Sequence, residues 1–269
     1  MHTDKVLADA MQCKVIGIGK EYPLPVCGFP PVLEKNSIHL WSAWYDDLDC
    51  HFRDLSPVIS QEEQGTASTF RKSADAKKYV IRRGIVRSIL AHYTHHTPEM
   101  ILFITGKNGK PELDPQGAYA DVSFSLSHTG EMMLIGVTKK RRIGVDVIKM
   151  DPGYRFHDSA EYMMTPAEKV FLKSVEPSLR YQVFFRIWAI KEAILKATGS
   201  TLALMGKTDL SAIIQELLSS PEYSMKYLDN HPPFFIWQFT CGSGYYGAIA
   251  ADASNPLEGD TAIQRLRYE

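Results

Sequence analysis

Two acids and one lysine carry the most chemistry in this sequence, and they fall in two kinds of element. The first acid is Asp146, in Ile143-Gly144-Val145-Asp146-Val147-Ile148. Strand alternation puts Ile143, Val145 and Val147 on one face and Gly144, Asp146 and Ile148 on the other. A carboxylate amid such apolar residues needs a partner, because burying it alone is costly. An aspartate at a sheet rim, bonded to an amide or a lysine, meets that need. So does a hard-cation ligand, since Mg2+ takes one or two carboxylates together with phosphate oxygens and water. The other two groups are Glu192 and Lys196, on a helix predicted over 178–198. Val183, Ile187, Ile190, Ile194 and Ala197 give that helix a core stripe. Phe184, Trp188, Glu192 and Lys196 make a second stripe roughly opposite. A Glu–Lys pair at this spacing is ordinarily an exposed helix pair worth about 0.2–0.5 kcal/mol. Two aromatics on the same stripe predict that something covers it, such as the other half of the protein. Glu192 and Lys196 then lie at the mouth of an interdomain cleft.

Other polar groups are less distinctive alone. Ser125-Leu126-Ser127-His128-Thr129-Gly130 closes one strand and opens the next, where serines and histidines usually make local hydrogen bonds. There is no G-x-S-x-G frame, which disfavours a serine hydrolase. Lys77, Lys78, Arg82, Arg83 and Arg87 lie on a helix predicted over 73–93. They form either a solvated face or a grip for phosphate. Lys139-Lys140-Arg141-Arg142 fills a hairpin-sized gap between two strands.

The elements that must position these groups alternate in a simple order. A strand at 37–45 precedes the 73–93 helix, whose Ile81, Ile85 and Ile89 mark one apolar face. Strands follow at 101–105, 122–126, 132–138 and 143–147, with a turn signal at 106–111. Helical character returns at 159–175, where Thr165 and Glu168 form a capping-box pair, and again at 178–198, closed by Gly199. Strands at 234–240 and 244–251 complete the chain. This order predicts an α+β fold of two similar halves. Residues 1–36 are an N-terminal extension, 37–142 a first subdomain and 143–269 a second.

With 269 residues and 45% hydrophobic content, the chain can bury a full core. Thirty Lys and Arg against 31 Asp and Glu argue against a nucleic-acid binder. The four cysteines, Cys13, Cys27, Cys50 and Cys241, have neither zinc nor disulfide spacing and fit a reducing compartment. No apolar run suits a signal peptide or a membrane span. A cytoplasmic protein without membrane contact is expected.

Together and in this order, GKPEL (109–113), FSLSHTG (124–130), IGVDV (143–147) and WAIKEAILKATGSTL (188–202) resemble the Sfp-type 4′-phosphopantetheinyl transferases. The resemblance covers roughly residues 37–251. It implies two similar α/β subdomains related by a pseudo-twofold, each a small, mainly antiparallel sheet on a long helix, with coenzyme A between them. It implies transfer of the phosphopantetheine arm of coenzyme A to a serine of an apo acyl- or peptidyl-carrier protein, releasing 3′,5′-ADP. By the same resemblance Asp146 and Glu192 hold Mg2+, and Glu192 and Lys196 are catalytic. Lys78, Gly109, Lys110, Pro111, Ser127, His128, Lys191 and Lys196 bind coenzyme A. Lys78 stands where the family usually presents an arginine to the 3′-phosphate. It keeps the charge and loses the bidentate fork.

Many family members carry D-x-E on the metal strand, and here Ile148 occupies the second acid's place. That departure motivates an alternative, a catalytically degenerate protein that binds coenzyme A or a carrier protein. A further alternative is another metal-dependent nucleotide-handling enzyme. The family's carrier substrates are acidic, so the Lys139–Arg142 stretch is a candidate steering patch, with an ordinary polar hairpin tip as the plain reading. One chain supplies both halves, so a monomer is expected.

Overall fold

A computed structural model describes residues 12–18, 32–34, 36–117, 119, 121–219, 224–228 and 232–254. The chain opens with β1 (Gln12–Ile18) and β2 (Ser37–Trp44). After two single-turn helices come α1 (Gln61–Ser68) and the long α2 (Ser73–Thr94). Short strands β3 (Phe103–Thr105) and β4 (Pro111–Leu113) pair with each other before β5 (Val122–Thr129) and β6 (Met132–Lys139). The second half runs β7 (Ile143–Lys149), α3 (Phe156–Met163), α4 (Pro166–Ser174) and α5 (Arg180–Thr198). It ends with α6 (Ile214–Ser219), β8 (Ser224–Leu228), β9 (Phe234–Thr240) and β10 (Tyr245–Asp252).

One topology is used twice. The first sheet has the order β1-β2-β6-β5 and the second β7-β10-β9-β8. In each, a leading strand is followed by a long helix and an antiparallel hairpin, and the hairpin's last strand pairs antiparallel with the leading strand. The fold is α+β, with two similar subdomains. Residues 12–18, which fall within the expected N-terminal extension, form an edge strand parallel to β2. Most of that extension, and the tail beyond 254, lie outside the described residues.

Three apolar clusters follow from strand alternation. One face of the first sheet (Trp41, Ala43, Met133, Ile135, Val137) packs on Ile81, Ile85, Val86 and Ile89 of α2. One face of the second (Phe234, Ile236, Ala248, Ala250) packs on Val183, Ile187, Ile190 and Ile194 of α5. The remaining faces meet each other through Ile38, Leu40, Leu134, Ile143, Val145, Val147, Phe235 and Trp237. The halves therefore share a core. Among the described residues no helix is long and apolar enough to cross a membrane.

Where β5 meets β7 at this seam, serine side chains bridge the strands. Ser125 Oγ accepts from the Val145 amide at 3.0 Å, and Ser127 Oγ accepts from the Val147 amide at 3.2 Å. At another part of the seam Trp44 meets Tyr245 edge-on, with ring centroids 5.1 Å apart.

Two expectations change. Lys139–Arg142 is no hairpin turn but the crossover between sheets, because β6 pairs with β2 and β5 while β7 pairs with β10. Its charges are largely used internally. Lys140 pairs with Asp121 at 3.1 Å, Arg142 with Asp252 at 2.6 Å, and buried Arg141 donates to the Asp252 carbonyl at 2.9 Å. Ahead of the basic helix, α1 opens on a capping box of Ser60 and Glu63. Glu63 is then buried against Arg83 and Arg87 of α2. Those two arginines brace α1 and offer no grip for phosphate.

Gly144 sets the spacing of β7 and α5. A Cβ there would overlap the Ala193 carbonyl and come within 2.5 Å of the Ala197 amide nitrogen. Overpacking of this kind costs about 1–3 kcal/mol. Gly144→Ala should lose stability at the upper end of that range in urea unfolding; an unchanged midpoint would mean the two elements are not in contact there.

Candidate active site

Because Gly144, Asp146 and Ile148 share the β7 face turned toward α5, the Asp146 carboxylate emerges beside that helix. Its Oδ1 accepts from Lys196 Nζ at 2.7 Å and from Ser127 Oγ at 2.8 Å. Lys196 Nζ also donates to Ser127 Oγ at 2.9 Å. Three elements from two halves thus meet at one point. Asp146 is only 7% exposed, and burial pushes its carboxyl above the usual range, with Lys196 and Ser127 pulling the other way.

Glu192 stands one turn before Lys196 on α5. Burial, then the negative charge of Asp146, raises its carboxyl, while Lys196 and Trp188 oppose the rise. Trp188 Nε1 donates to Glu192 Oε1 at 3.4 Å. The two acids are close enough to repel one another. Both are raised chiefly by burial, and Glu192 is raised further by the charge of Asp146.

A cleft of about 540 Å³ opens at this point. Its walls are the 107–111 loop, Ser125 and Leu126 from the first half, with Glu192, Leu195, Lys196 and residues 199–203 from the second. Gly109, Lys110 and Pro111 therefore line the same cleft as Glu192 and Lys196. The Lys110 side chain, however, turns into the seam, where Nζ donates to the carbonyls of Ile143 and Lys196, both at 2.9 Å.

A second group of cations lies nearby. Lys78 Nζ reaches both Glu131 oxygens, at 2.7 and 2.8 Å, and sits 5.3 Å from the Tyr45 ring centroid. Arg82 donates to Tyr45 Oη at 3.3 Å. His128 is open to solvent at one edge. Partial burial, then the charges of Arg82 and Lys196, bring its imidazole down to about 4, so it is neutral at pH 7. The α2 helix was visible in the sequence as a basic helix. That Arg82, rather than Arg83 or Arg87, is the arginine facing His128 follows only from how α2 rotates its apolar face onto the sheet.

Two sequence-based expectations are corrected. Lys191 does not face the cleft. It is 0% exposed, bonded to Glu168 at 2.6 Å and to the carbonyls of Met163 and Met205 at 2.7 and 2.9 Å. Glu168 completes the network by accepting from the Thr165 and Leu210 amides. Every donor of the ammonium is spent, so Lys191 ties α5 to α4 and to the 202–207 turn. The aromatic stripe is covered from within its own half. Tyr154 and Phe156 pack on Phe184 with centroids 6.4 and 5.2 Å apart, and Phe184 meets Trp188 at 5.5 Å. The connection after β7 supplies that cover.

Comparison with known proteins identifies the family. The family described as the 4′-phosphopantetheinyl transferase superfamily matches residues 142–250, and the 4′-phosphopantetheinyl transferase N-terminal family matches residues 41–140. The chain is 30% identical to the 4′-phosphopantetheinyl transferase HetI of a Nostoc species over 73% of this chain and 85% of that protein. It is 28% identical to a 4′-phosphopantetheinyl transferase of Bacillus subtilis, over 80% of this chain and 90% of that one. It is also 25% identical to the Bacillus subtilis 4′-phosphopantetheinyl transferase Sfp, over 72% and 82%.

Breaking a buried ion pair from one side costs about 3–5 kcal/mol. Lys191→Met should lose that much in denaturant unfolding, with part regained in Lys191→Met/Glu168→Gln. Native stability with weakened coenzyme A binding would instead return Lys191 to the ligand.

Proposed function

This chain belongs to the 4′-phosphopantetheinyl transferase superfamily and is an enzyme of that class, and we propose that it moves the phosphopantetheine arm of coenzyme A to a carrier-protein serine in the cleft between its halves. The observation that carries this reading is that Glu192 and Lys196 line one cleft with the 107–111 loop while Lys196 also holds Asp146. The relatives' names supply the transferred group, and the cleft supplies a place for it.

The donor set suits a divalent cation. Asp146 and Glu192 are hard oxygen ligands, each raised by burial, and Glu192 is raised further by its neighbour's charge. A cation between them relieves that repulsion. Among the described residues no group of three or more His, Cys, Asp or Glu side chains is placed to hold a metal ion, and Ile148 packs against the α5 core. Substrate oxygens and water would fill the other positions, which Mg2+ accepts readily. Bound there, Mg2+ would offset negative charge developing on the diphosphate.

The remaining work falls to the chain's own side chains. Lys196, held by Asp146 and Ser127, keeps a fixed ammonium at the cleft wall to stabilise the departing 3′,5′-ADP. Glu192 takes the proton from the attacking serine hydroxyl, its raised carboxyl bringing its basicity nearer to neutrality. The serine oxygen forms a new bond to the β-phosphorus as the bond to 3′,5′-ADP breaks. Arg82, with Lys78 beyond, gives the coenzyme A phosphates an electropositive rim, and the neutral His128 beside it offers a ring N–H as a hydrogen-bond donor. One chain supplies both cleft walls, which favours a monomer.

Incubation with labelled coenzyme A, Mg2+ and an apo carrier protein tests this. Glu192→Ala and Asp146→Asn should each lower transfer by about 100-fold or more, and excess chelator should abolish it. Native rates in Glu192→Ala would remove the assignment. Coenzyme A binding with no transfer by the native chain would point to a binding protein instead.

A further inference from the structure

The 107–110 loop does more than line the cleft. The last carbonyls of any α-helix lack partners within the helix, and cations are favoured at that end. At α5 the Gly199 and Ser200 amides both fold back on the Leu195 carbonyl, with Gly199 in the left-handed region at φ +63°. Two carbonyls of this turn are satisfied by the opposite half of the protein. Lys110 Nζ donates to Lys196 O at 2.9 Å, and Asn108 Nδ2 donates to Gly199 O at 2.7 Å. The same Lys110 ammonium takes Ile143 O at the start of β7. A single first-half side chain thus joins the strand that carries Asp146 to the helix that carries Glu192 and Lys196.

The local backbone is made for this reach. Asn108 (φ 57°) and Gly109 (φ 81°) are both left-handed, a conformation that Asn and Gly adopt at least cost. The charges facing Lys110 are Glu112 on β4, Lys196 on α5 and Arg142 before β7. Burial brings its ammonium down to about 8, with Glu112 opposing, so it is predominantly charged at pH 7. Its ammonium donates within the seam, and the residue also lines the cleft.

We propose that Lys110 and Asn108 are positioning residues that cap the C-terminus of α5 across the seam and so hold the two cleft walls in register for coenzyme A. The clamp itself needs no ligand, and its consequence for coenzyme A rests on the proposed function. Lys196 Nζ is held separately by Asp146 and Ser127. Loss of the clamp should therefore weaken binding more than chemistry.

The test is hydrogen exchange of the ligand-free full chain at the Gly199 and Ser200 amides, with KM for coenzyme A and kcat measured on the same samples. Lys110→Met and Asn108→Asp should each speed exchange there by about 10-fold. Lys110→Met should also raise KM by about 10-fold while kcat stays within about 2-fold. Native exchange in both variants would overturn the clamp, and so would a fall in kcat at constant KM. If Lys110→Met does not fold, Asn108→Asp, at the exposed rim, decides by exchange alone. Faster exchange in a chain whose native form transfers nothing would keep the clamp and remove the proposed function.

Discussion

The contact among Lys196 Nζ, Asp146 Oδ1 and Ser127 Oγ is the constraint on which the rest of the molecule depends. A buried carboxylate demands compensation, and its partners come from a helix of the second half and a strand of the first. Nothing local to β7 could provide both. The halves must close on one another before Asp146 is satisfied, and closing them creates the cleft. Ser127 also accepts the Val147 amide, so the group that orients the carboxylate joins the two strands as well.

Repeating one topology divides the labour. The second half brings its leading strand against its long helix closely enough that only glycine fits at position 144. That closeness puts Asp146, Glu192 and Lys196 within electrostatic reach of one another. The first half contributes the other wall through the 107–111 loop, Ser125 and Leu126. The shared core between the sheets, with Val145 and Val147 at its centre, resists sliding of one wall past the other. Buried polar networks elsewhere serve this rigidity. Glu168 and Lys191 fix one side of α5, and Glu63 with Arg83 and Arg87 braces α2.

Much of this was legible in the sequence because it rests on local periodicity. Alternation placed Asp146 opposite Val145 and Val147, and the i, i+4 stripe placed Glu192 with Lys196. The capping box of Thr165 and Glu168 and the closing Gly199 also follow from local chemistry. What was not legible depends on partners distant in the chain. Lys191 adjoins Glu192 in sequence, yet a step of one residue on a helix turns it through about 100° and away from the cleft. Its true partner, Glu168, has the same sequence signature as an ordinary capping residue. The aromatics Phe184 and Trp188 correctly announced a covered face, but periodicity does not say that Tyr154 and Phe156 cover it. Whether two basic-flanked strands form a hairpin or separate into two sheets is likewise decided by which core their apolar faces can reach.

The central claim is that Asp146 and Glu192 share one divalent ion against the diphosphate. Titrating Mn2+ into the protein with coenzyme A present, followed by calorimetry or spin resonance, tests it most directly. The account predicts one bound ion per chain, with affinity reduced by about 10-fold or more in both Asp146→Asn and Glu192→Gln. Native affinity in either variant would show that the two carboxylates do not hold a common ion, and the proposed chemistry would have no site.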